Sequence, residues 1–391
     1  MKLLLFDTVL DGHHTDYLTY LIEYWHEHKI EGELLVVTPR GLSGQFPNEI
    51  SCSTQIQFIE IAEREIAEFK ESSIVGRSFA GWNLFTRYAK QYRPDHAILM
   101  YFDLFQLGLG LGKKSPCPVS GIYFRPNFHQ HVSRSGKEKW MTKIKKLILS
   151  RALANPAFVN LYCLDKTAVP TIQAITGKDR VLPLSDPVRE YAVTNEQTEN
   201  LRMTLGIEES RKVFLLFGYL DDRKGIEPIL DSIALLNPIE SKQMALILAG
   251  PISDQYRTVI EEKIESLNTD IQILCHFQTL KGAAIQTLFS LSDFVLTLYQ
   301  KHVGMSSIVV RAALSQKPLI SSDFGYLGNL VSSQQLGTTV DSSSPAAICA
   351  AFQRALRGTT QFDRAAAEKL AKENTAQAFA EQILSEILEK N

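Results

Sequence analysis

The stretch FGYLDDRKGIEPILDSIALL, residues 217–236, contains the clearest local indication of the fold of this chain. It starts at the end of an apolar run, residues 213–218, and finishes in a segment whose apolar side chains recur at helical spacing. A short apolar strand that leads through a glycine and a polar turn into such a helix is a βα unit. The sequence therefore predicts a parallel sheet covered by helices at this point.

The same unit recurs along the whole chain. The other apolar runs that read as strands are residues 3–7, 33–38, 56–59, 96–101, 119–124 and 158–162 in the first half, and 245–250, 271–275, 294–298, 318–321 and 338–340 in the second. Amphipathic segments separate them; the first, residues 16–29, has Thr15 or Asp16 as its expected N-cap. Repeated βα units predict an α/β protein made of doubly wound, Rossmann-like sheets.

The pattern breaks once, at VLPLSDPVREYAVTN, residues 181–195, which contains two prolines and little helical periodicity. We expect the linker there, with an amino-terminal domain over residues 1–185 and a carboxyl-terminal domain over 186–374. One last helix, residues 364–389, is long enough to cross between domains, so residues 375–391 are expected to return to the first one. Two such domains would face each other across a cleft, where ligands of these folds bind.

Composition and charge exclude several classes of protein. The 391 residues carry a net charge of −2, so no overall basic field exists to gather nucleic acid. The five cysteines are scattered, with no CxxC pair and no Cys/His cluster, which indicates reduced thiols and no metal site. No uncharged apolar run reaches the roughly 18 residues of a membrane span, and Asp7 interrupts the apolar amino terminus early. We expect a cytoplasmic protein.

The loop after residues 213–218 carries adjacent cations. Gly218 ends the predicted strand, and Arg223 and Lys224 precede the predicted helix. Cations at a strand-to-helix loop can neutralise a diphosphate, and the helix dipole adds to their effect. An isolated Lys-Arg pair is more often an ordinary solvated charge, but the position of Lys224 favours a binding role.

A second candidate site begins near residue 304. Gly304, Met305, Ser306 and Ser307 lie where a helix is expected to start, so their N–H groups and hydroxyls can form an anion cradle. The helix that follows is nearly all apolar or small, and its one charge is Arg311. A guanidinium in such a helix needs a partner, which is equally an internal carboxylate or a bound anion.

The first loop, DGHHTD at residues 11–16, offers a third candidate. Gly12 permits close backbone approach, and His13 or His14 can supply a proton donor or a phosphate contact. Taken alone, a polar turn without a ligand is the favoured interpretation. The loop is not a GxGxxG fingerprint, so a dinucleotide oxidoreductase receives little support.

The segment KEKWMTKIKKLILSR, residues 137–151, raises the question of a membrane contact. It combines five apolar side chains, Trp140, Met141, Ile144, Leu147 and Ile148, with flanking lysines and an arginine. Such a helix can dock on anionic lipid at the inner face of a membrane. An ordinary helix with snorkelling lysines is the somewhat favoured alternative.

These motifs together resemble a known family. They are similar to the nucleotide-sugar domain of retaining GT-B glycosyltransferases of family 4. The motifs that carry the similarity are an RKG after a strand that ends in glycine, a strand reading LILAG, a small-residue loop before a helix, and KPLISSDFGYLGNLV at residues 317–331. The match is clearest over residues 213–341. The amino-terminal half resembles the acceptor domain of that family only in its βα rhythm and its first loop.

The resemblance implies roles for particular residues. Lys224 matches the lysine that grips the donor diphosphate, while Tyr219 stands where an arginine is expected and Arg223 is a possible substitute. Val303 and Arg311 occupy the places of two family glutamates, whereas Gly304 retains the family glycine between them. The histidine of the amino-terminal domain corresponds least securely, and His129 is the nearest candidate.

The resemblance also implies an activity. It predicts transfer of a hexose from a UDP- or GDP-sugar to a glycan or lipid-linked acceptor in polysaccharide biosynthesis, with retention of configuration and without a metal or other cofactor. Loss of both family glutamates keeps a second hypothesis open, a non-catalytic scaffold that binds nucleotide-sugar or glycan. A sugar-nucleotide 2-epimerase is a weaker third one, since no paired acid and base residues emerge.

Overall fold

The computed structural model describes residues 1–389 except 11, 125, 127–135, 178 and 303. The chain divides into two compact units, residues 1–185 with 376–391, and residues 186–375. Each unit contains one parallel sheet whose two faces are covered by helices. The predicted fold class, two Rossmann-like doubly wound α/β units, is confirmed.

The amino-terminal unit has a seven-stranded sheet with the order β3-β2-β1-β4-β5-β6-β7. Its strands are β1 Lys2–Phe6, β2 Glu33–Thr38, β3 Ile56–Glu60, β4 His96–Leu99, β5 Val119–Tyr123, β6 Phe158–Cys163 and β7 Val181–Pro183. Its first helices are α1 His13–Glu27, α2 Asn48–Ser51, α3 Glu63–Glu71, α4 Ile74–Tyr92, α5 Gln106–Leu111, α6 Gly136–Leu153 and α7 Ala168–Thr176. In the inner strands β1, β4, β5 and β6 consecutive residues are almost all buried, as a parallel sheet between two helical layers requires.

The carboxyl-terminal unit has a six-stranded sheet with the order β10-β9-β8-β11-β12-β13. Its strands are β8 Lys212–Phe217, β9 Met244–Ala249, β10 Gln272–His276, β11 Phe294–Thr297, β12 Leu319–Ser322 and β13 Gly337–Val340. Its helices are α8 Asn195–Thr204, α9 Ile226–Ile233, α10 Pro238–Lys242, α11 Asp254–Glu265, α12 Ala283–Leu291, α13 Ser307–Leu314, α14 Gly325–Ser333, α15 Pro345–Leu356 and α16 Arg364–Glu373. A last helix, α17 Ala376–Leu388, belongs to the amino-terminal unit.

Strand order locates the expected binding edge in each sheet. In the first sheet the chain runs outward from β1 to β3 and then returns to place β4 on the other side of β1. In the second sheet β8 and β11 are related in the same way. Ligands of open α/β sheets bind beyond the carboxyl ends of the strands at such switch points. The loops after β1, β4, β8 and β11 are therefore the expected binding loops.

The predicted linker contains one further strand. β7 pairs in parallel with β6, with Leu161 opposite Val181 and Cys163 opposite Pro183. The prediction of an irregular segment from residue 181 onward is wrong at its start. β7 is the last strand of the sheet, and proline is tolerated on an edge strand because its missing N–H has no ladder partner to lose.

The predicted single helix over residues 364–389 is in fact two helices. The buried Asn374 ends α16, and its side chain accepts from the N–H of Asp186 at 2.9 Å and donates to the carbonyl of Leu370 at 2.7 Å. These side-chain bonds to the backbone compete with helix continuation. α17 then packs its apolar side chains into the core of the amino-terminal unit, where Phe379, Ile383 and Ile387 are buried.

The first helix begins earlier than the sequence predicts. α1 starts at His13 with Gly12 as the N-cap, so neither Thr15 nor Asp16 has that role. Gly12 has φ 51° and ψ −127°, a conformation that glycine adopts more readily than other residues. The turn therefore occurs at the glycine. In the part of the chain that the structure describes, no helix is both long and apolar enough to cross a bilayer.

Candidate functional site

Lys224 lies at the switch point of the carboxyl-terminal sheet. After β8 the chain passes through Gly218 and a single 3-10 turn, Asp222–Lys224, before α9. The Lys224 Nζ donates to the carbonyl oxygen of Phe217 at 3.0 Å and to the hydroxyl of Tyr299 at 2.9 Å. It also lies 4.3 Å from the centroid of the Tyr299 ring. The ammonium group is therefore held across the carboxyl ends of β8 and β11.

Two glycines allow this arrangement. Gly225 has φ 70°, and a Cβ there would lie 2.4 Å from the carbonyl oxygen of Leu298. Gly218 has φ 116°, and a Cβ there would lie 2.9 Å from the Lys224 Nζ. The N–H of Gln300 also donates to the carbonyl of Arg223 at 2.7 Å, which joins the Lys224 turn to the chain after β11. Any side chain at Gly225 would push these two segments apart.

Tyr299 connects Lys224 to the start of α13. Its ring is buried, and its hydroxyl is 3.3 Å from the Ser306 Oγ, within hydrogen-bond distance. Ser306 is the N-cap of α13, and its Oγ accepts from the N–H of Ile308 at 3.4 Å. The result is a chain of polar groups, Lys224 to Tyr299 to Ser306, that ends where the positive pole of a helix dipole lies. Such a group can bind an anion, a phosphate in particular.

The other predicted residues of this unit lie on the same loops. Gly304 and Met305 precede Ser306 and are half-buried, and the carbonyl of Met305 is 3.3 Å from the Nε2 of His302. Ser307 is the first residue of α13 and Arg311 lies in the same helix, half-buried. Val303 is outside the described residues. The sheet topology therefore brings the two predicted loops, which are about 80 residues apart in sequence, to one edge.

Arg223 and Tyr219 differ from Lys224 in their environment. Arg223 is exposed and donates twice to the Asp221 Oδ2, at 3.0 Å from Nε and 2.9 Å from Nη2. The pair largely neutralises itself, so Lys224 is the cation of this turn that lies at the strand end. Tyr219 is exposed. Burial raises the pKa of the nearby Tyr256 hydroxyl, and the carboxylates of Glu227, Asp222 and Asp221 add to that effect.

The predicted residues of the amino-terminal unit are described only in part. Gly12 is exposed at the start of α1. The side chain of His13 and the whole of His129 lie outside the described residues. Among the residues that are described, no three His, Cys, Asp or Glu side chains come together in a way that could hold a metal ion.

Sequence reasoning missed a histidine–carboxylate pair in this unit. The His14 Nδ1 lies 2.7 Å from the Oδ2 of Asp7, which is the residue directly after β1. Asp7 is fully buried, and burial raises the pKa of its carboxyl group while the bond to His14 opposes that shift. A charged residue at the end of an apolar strand was the signal that could have identified the pair. Tyr299 was missed as well, although it follows β11 in the same way.

Part of this chain is similar in sequence to a known protein family. The model of the family described as Glycosyl transferases group 1 matches residues 197–378. No curated protein matches the chain significantly in sequence.

Several solved structures are similar to the whole chain. The complex of Anabaena Alr3699/HepE with UDP has a TM-score of 0.72 at 15% identity, covering 100% of both chains. A glycosyltransferase from Rickettsia africae has a TM-score of 0.72 at 12% identity, covering 100% of this chain and 98% of its own. The sucrose-phosphate synthase of Thermosynechococcus elongatus has 0.70 at 16%, covering 99% and 98%. At these identities the likeness shows the fold, which is the GT-B fold. Residues 197–378 are therefore the part of this chain that is similar to the glycosyltransferase group 1 family.

Proposed function

We propose that this chain is a glycosyltransferase that transfers a hexose from a nucleotide-sugar donor, a UDP- or GDP-sugar, to a glycan or lipid-linked acceptor in polysaccharide biosynthesis. The observation that carries the proposal is the Lys224 ammonium, held by Phe217 and Tyr299 at the switch point of the domain that matches the group 1 family. Structures of HepE with UDP and with UDP-glucose have the same fold, which favours a uridine nucleotide as the first donor to test.

In this proposal the donor diphosphate lies between Lys224 and the start of α13. Lys224 neutralises the charge that develops on the departing nucleoside diphosphate, and the N–H groups at the start of the helix contribute their dipole. The other residues assigned to the donor are Gly218, Tyr219, Arg223, Gly304, Met305, Ser306, Ser307 and Arg311. Fixed cations and dipoles need no rearrangement during the reaction, so they stabilise the transition state more than mobile water does.

We further propose that the reaction retains the anomeric configuration and proceeds without a metal ion. A donor phosphate oxygen can take the proton of the acceptor hydroxyl on the face that the leaving group departs from, so no protein carboxylate is needed there. The glycosidic C–O bond to the acceptor then forms as the bond to the diphosphate breaks. Lys224 supplies the charge stabilisation that a divalent cation gives in metal-dependent transferases.

A thermal-shift screen with UDP, GDP, ADP, TDP and CMP tests the donor site. A nucleotide that binds only the folded protein stabilises it by about 2.7 kcal/mol when its concentration is one hundred times Kd. We expect UDP or GDP to raise the unfolding temperature and the other three to have less effect. If no nucleotide stabilises the chain, the assignment of the Lys224 site is wrong.

A non-catalytic scaffold is the second candidate function. Arg311 supports the scaffold hypothesis, because a guanidinium occupies the position where the resemblance places a glutamate. A scaffold that binds nucleotide-sugar would be stabilised by a nucleotide but would release no nucleoside diphosphate from any donor, and a scaffold that binds glycan would be stabilised by a glycan instead. Turnover of the donor therefore distinguishes the transferase from either kind of scaffold.

Changing Tyr299 to Phe tests how Lys224 is held. The substitution keeps the ring over the ammonium group and removes only the hydroxyl that accepts from Nζ. Because a hydrogen bond to a charged group contributes about 1.5–3 kcal/mol, we expect nucleotide affinity to fall roughly tenfold or more in calorimetric titration. Tyr256→Phe is the matched control, since the buried Tyr256 hydroxyl has no hydrogen-bond partner among the described residues. Equal affinities in the two variants would remove Tyr299 from the site.

We also propose that the protein is cytoplasmic and contacts the inner face of a membrane through α6. Leu149, Ala152 and Leu153 pack this helix into its unit, while Trp140 and Leu147 are 62% and 63% exposed. Helical periodicity places these two and the half-buried Ile144 on the side opposite the buried residues. Two exposed basic side chains, Lys143 and Arg151, lie on or beside this apolar stripe. An apolar stripe with flanking cations suits an anionic lipid surface.

Replacing Trp140 with Ala tests this contact. Removal of the exposed indole should lower binding to vesicles of phosphatidylglycerol and phosphatidylcholine by roughly tenfold in cosedimentation, because burying a large aromatic side chain is worth about 1.5–3 kcal/mol. Ile239→Ala, which removes another largely exposed apolar side chain, should bind as the original chain does. Weak binding of the unaltered protein, or identical binding of both variants, would exclude α6 as the contact.

A further inference from the structure

The carboxyl-terminal sheet ends in a strand whose outer backbone groups are unpaired in the described part of the chain. β10 is the first strand in the order β10-β9-β8-β11-β12-β13, so it has a neighbouring strand on its β9 side only. The carbonyl of His276 accepts from the N–H of Gly250 at 3.0 Å, so the even-numbered residues of β10 direct their backbone groups to β9. Ile273 and Cys275 direct theirs away from the sheet, and none of the described residues bonds to them.

The edge strand β7 of the other sheet is closed in a way that β10 is not. Its outer carbonyls belong to Val181 and Pro183, and they accept from the side-chain amides of Gln173 and Gln382. Pro183 also has no N–H to offer. Proteins protect edge strands by such devices, because an open edge is a template for a further strand. Residues 271–277, which include β10, contain no Asp, Glu, Lys, Arg or Pro that could block it.

A pair of opposite charges on α11 lies beside this open edge. The Arg257 Nε donates to the Glu261 Oε1 at 2.7 Å, and the two side chains are 52% and 42% exposed. The Arg257 guanidinium is 5.5 Å from the ring centroid of Phe277, which is two residues after the exposed Cys275 and therefore on the same face of the strand. Partial burial of the Cys275 thiol raises its pKa to about 11, Glu261 adds to that shift and Arg257 opposes it, so both charges lie near the thiol.

A twofold axis beside Cys275 would make this surface complementary to itself. Two antiparallel copies of β10 would exchange the N–H and carbonyl bonds of Cys275, which are directed outward. The same axis reverses the direction of α11, so Arg257 of one copy would face Glu261 of the other. An exposed ion pair within one helix contributes little, so replacing it by pairs between copies costs little. Backbone and charge complementarity therefore both favour a second copy of this chain as the partner.

We propose that two copies of this chain form a dimer through β10, with the strands antiparallel, Cys275 opposite Cys275, and Arg257 of each copy opposite Glu261 of the other. The two carboxyl-terminal sheets then form one continuous sheet. This inference goes beyond the proposed function, since it assigns a partner and no step of the reaction. Lys224 lies after β8, two strands away from β10, so nucleotide binding and association are measured independently.

Sedimentation equilibrium of the full chain tests the dimer. At micromolar concentration we expect twice the mass of one chain. Cys275→Lys places two ammonium groups opposite each other and should weaken association at least about tenfold. Cys52→Lys, which changes another exposed cysteine outside β10, is the matched control and should associate as the original chain does. A monomeric original chain, or equal association of Cys275→Lys, would overturn the proposal.

Mixing two charge variants tests the pairing between copies. Arg257→Glu leaves only carboxylates at the contact, and Glu261→Arg leaves only guanidinium groups, so each variant alone should associate at least about tenfold more weakly than the original chain. An equimolar mixture restores opposite charges between different chains but not within either one, so it should dimerise again. A role of these residues inside one helix predicts no such rescue. If the mixture is as monomeric as its components, or if the single variants remain dimeric, β10 is not the interface.

Discussion

Replacing Lys224 with Ala is expected to lower turnover of the nucleotide-sugar donor by at least about a hundredfold, the loss typical of removing a group that stabilises developing negative charge. The ammonium group is held by the Phe217 carbonyl and the Tyr299 hydroxyl, and no other cation of its turn lies at the strand end in the described part of the chain. The measurement is release of nucleoside diphosphate under saturating donor, with the unfolding temperature of each variant measured alongside.

Two variants complete that experiment. Lys224→Met keeps most of the aliphatic stem and removes the charge, so it should be as inactive as Lys224→Ala if the charge is what matters. Lys242→Ala removes an exposed lysine of the same unit, paired only loosely with Asp270 at 4.0 Å, and should retain full turnover. Unchanged turnover in Lys224→Ala, or an equal loss in Lys242→Ala, would contradict the role of Lys224.

Replacing Gly225 with Ala is expected to have the second largest effect. The new Cβ would lie 2.4 Å from the Leu298 carbonyl oxygen and 2.8 Å from the Gln300 Nε2, so the turn that carries Lys224 must move away from β11. The left-handed backbone conformation costs about 1–2 kcal/mol for any residue but glycine, and the overpacking adds about 1–3 kcal/mol. Both the free energy of unfolding and nucleotide affinity should fall.

Gly206→Ala is the matched control for that substitution. Gly206 has φ 62°, close to the 70° of Gly225, but a Cβ there meets nothing within 4 Å. Gly206→Ala should therefore lower the free energy of unfolding only by the cost of placing alanine at a positive φ, and it should leave nucleotide affinity unchanged. Chemical denaturation of both variants measures the difference between their free energies of unfolding. Equal losses of stability, with affinity intact in both, would mean that the contact between the Lys224 turn and the chain after β11 does not support the site.

Much of the fold was predictable because each strand carries its own local signal. β2 has the predicted bounds, and β5 and β8 end one residue before the predicted glycine or aromatic residue. Unbroken apolar runs bounded by turn residues identify parallel strands without knowledge of their partners. β7 was not predictable in this way, since three residues ending in proline have no periodicity and exist as a strand only because β6 lies beside them.

The helix break at Asn374 was missed for a related reason. Asn374 and Thr375 are weaker helix formers, but two such residues in a stretch rich in Ala, Glu and Leu do not by themselves end a helix. Asn374 ends α16 through a bond to Asp186, which is 188 residues away in sequence. Tertiary contact therefore overrides helix propensity at this position.

The residues of the candidate site are likewise of two kinds: some are predicted by local sequence, and others depend on tertiary contacts. Lys224 and Ser306 were predictable, because both lie in loops that follow strands and precede helices. Tyr299 was not, since its role depends on a contact with a lysine 75 residues earlier in the chain. The pairing of Asp7 with His14 spans only seven residues, but it depends on where α1 starts, and that start was predicted too late in the sequence.

The most direct test of transferase activity is a nucleotide-release assay with UDP-glucose, other UDP-hexoses and GDP-hexoses on the unaltered chain. We predict slow release of nucleoside diphosphate from at least one donor, even with water as the acceptor, and loss of that release in Lys224→Ala. Tight nucleotide binding with no release from any donor, in the presence of pyranoside acceptors as well as water, would contradict a transferase and leave the non-catalytic scaffold as the function of this fold.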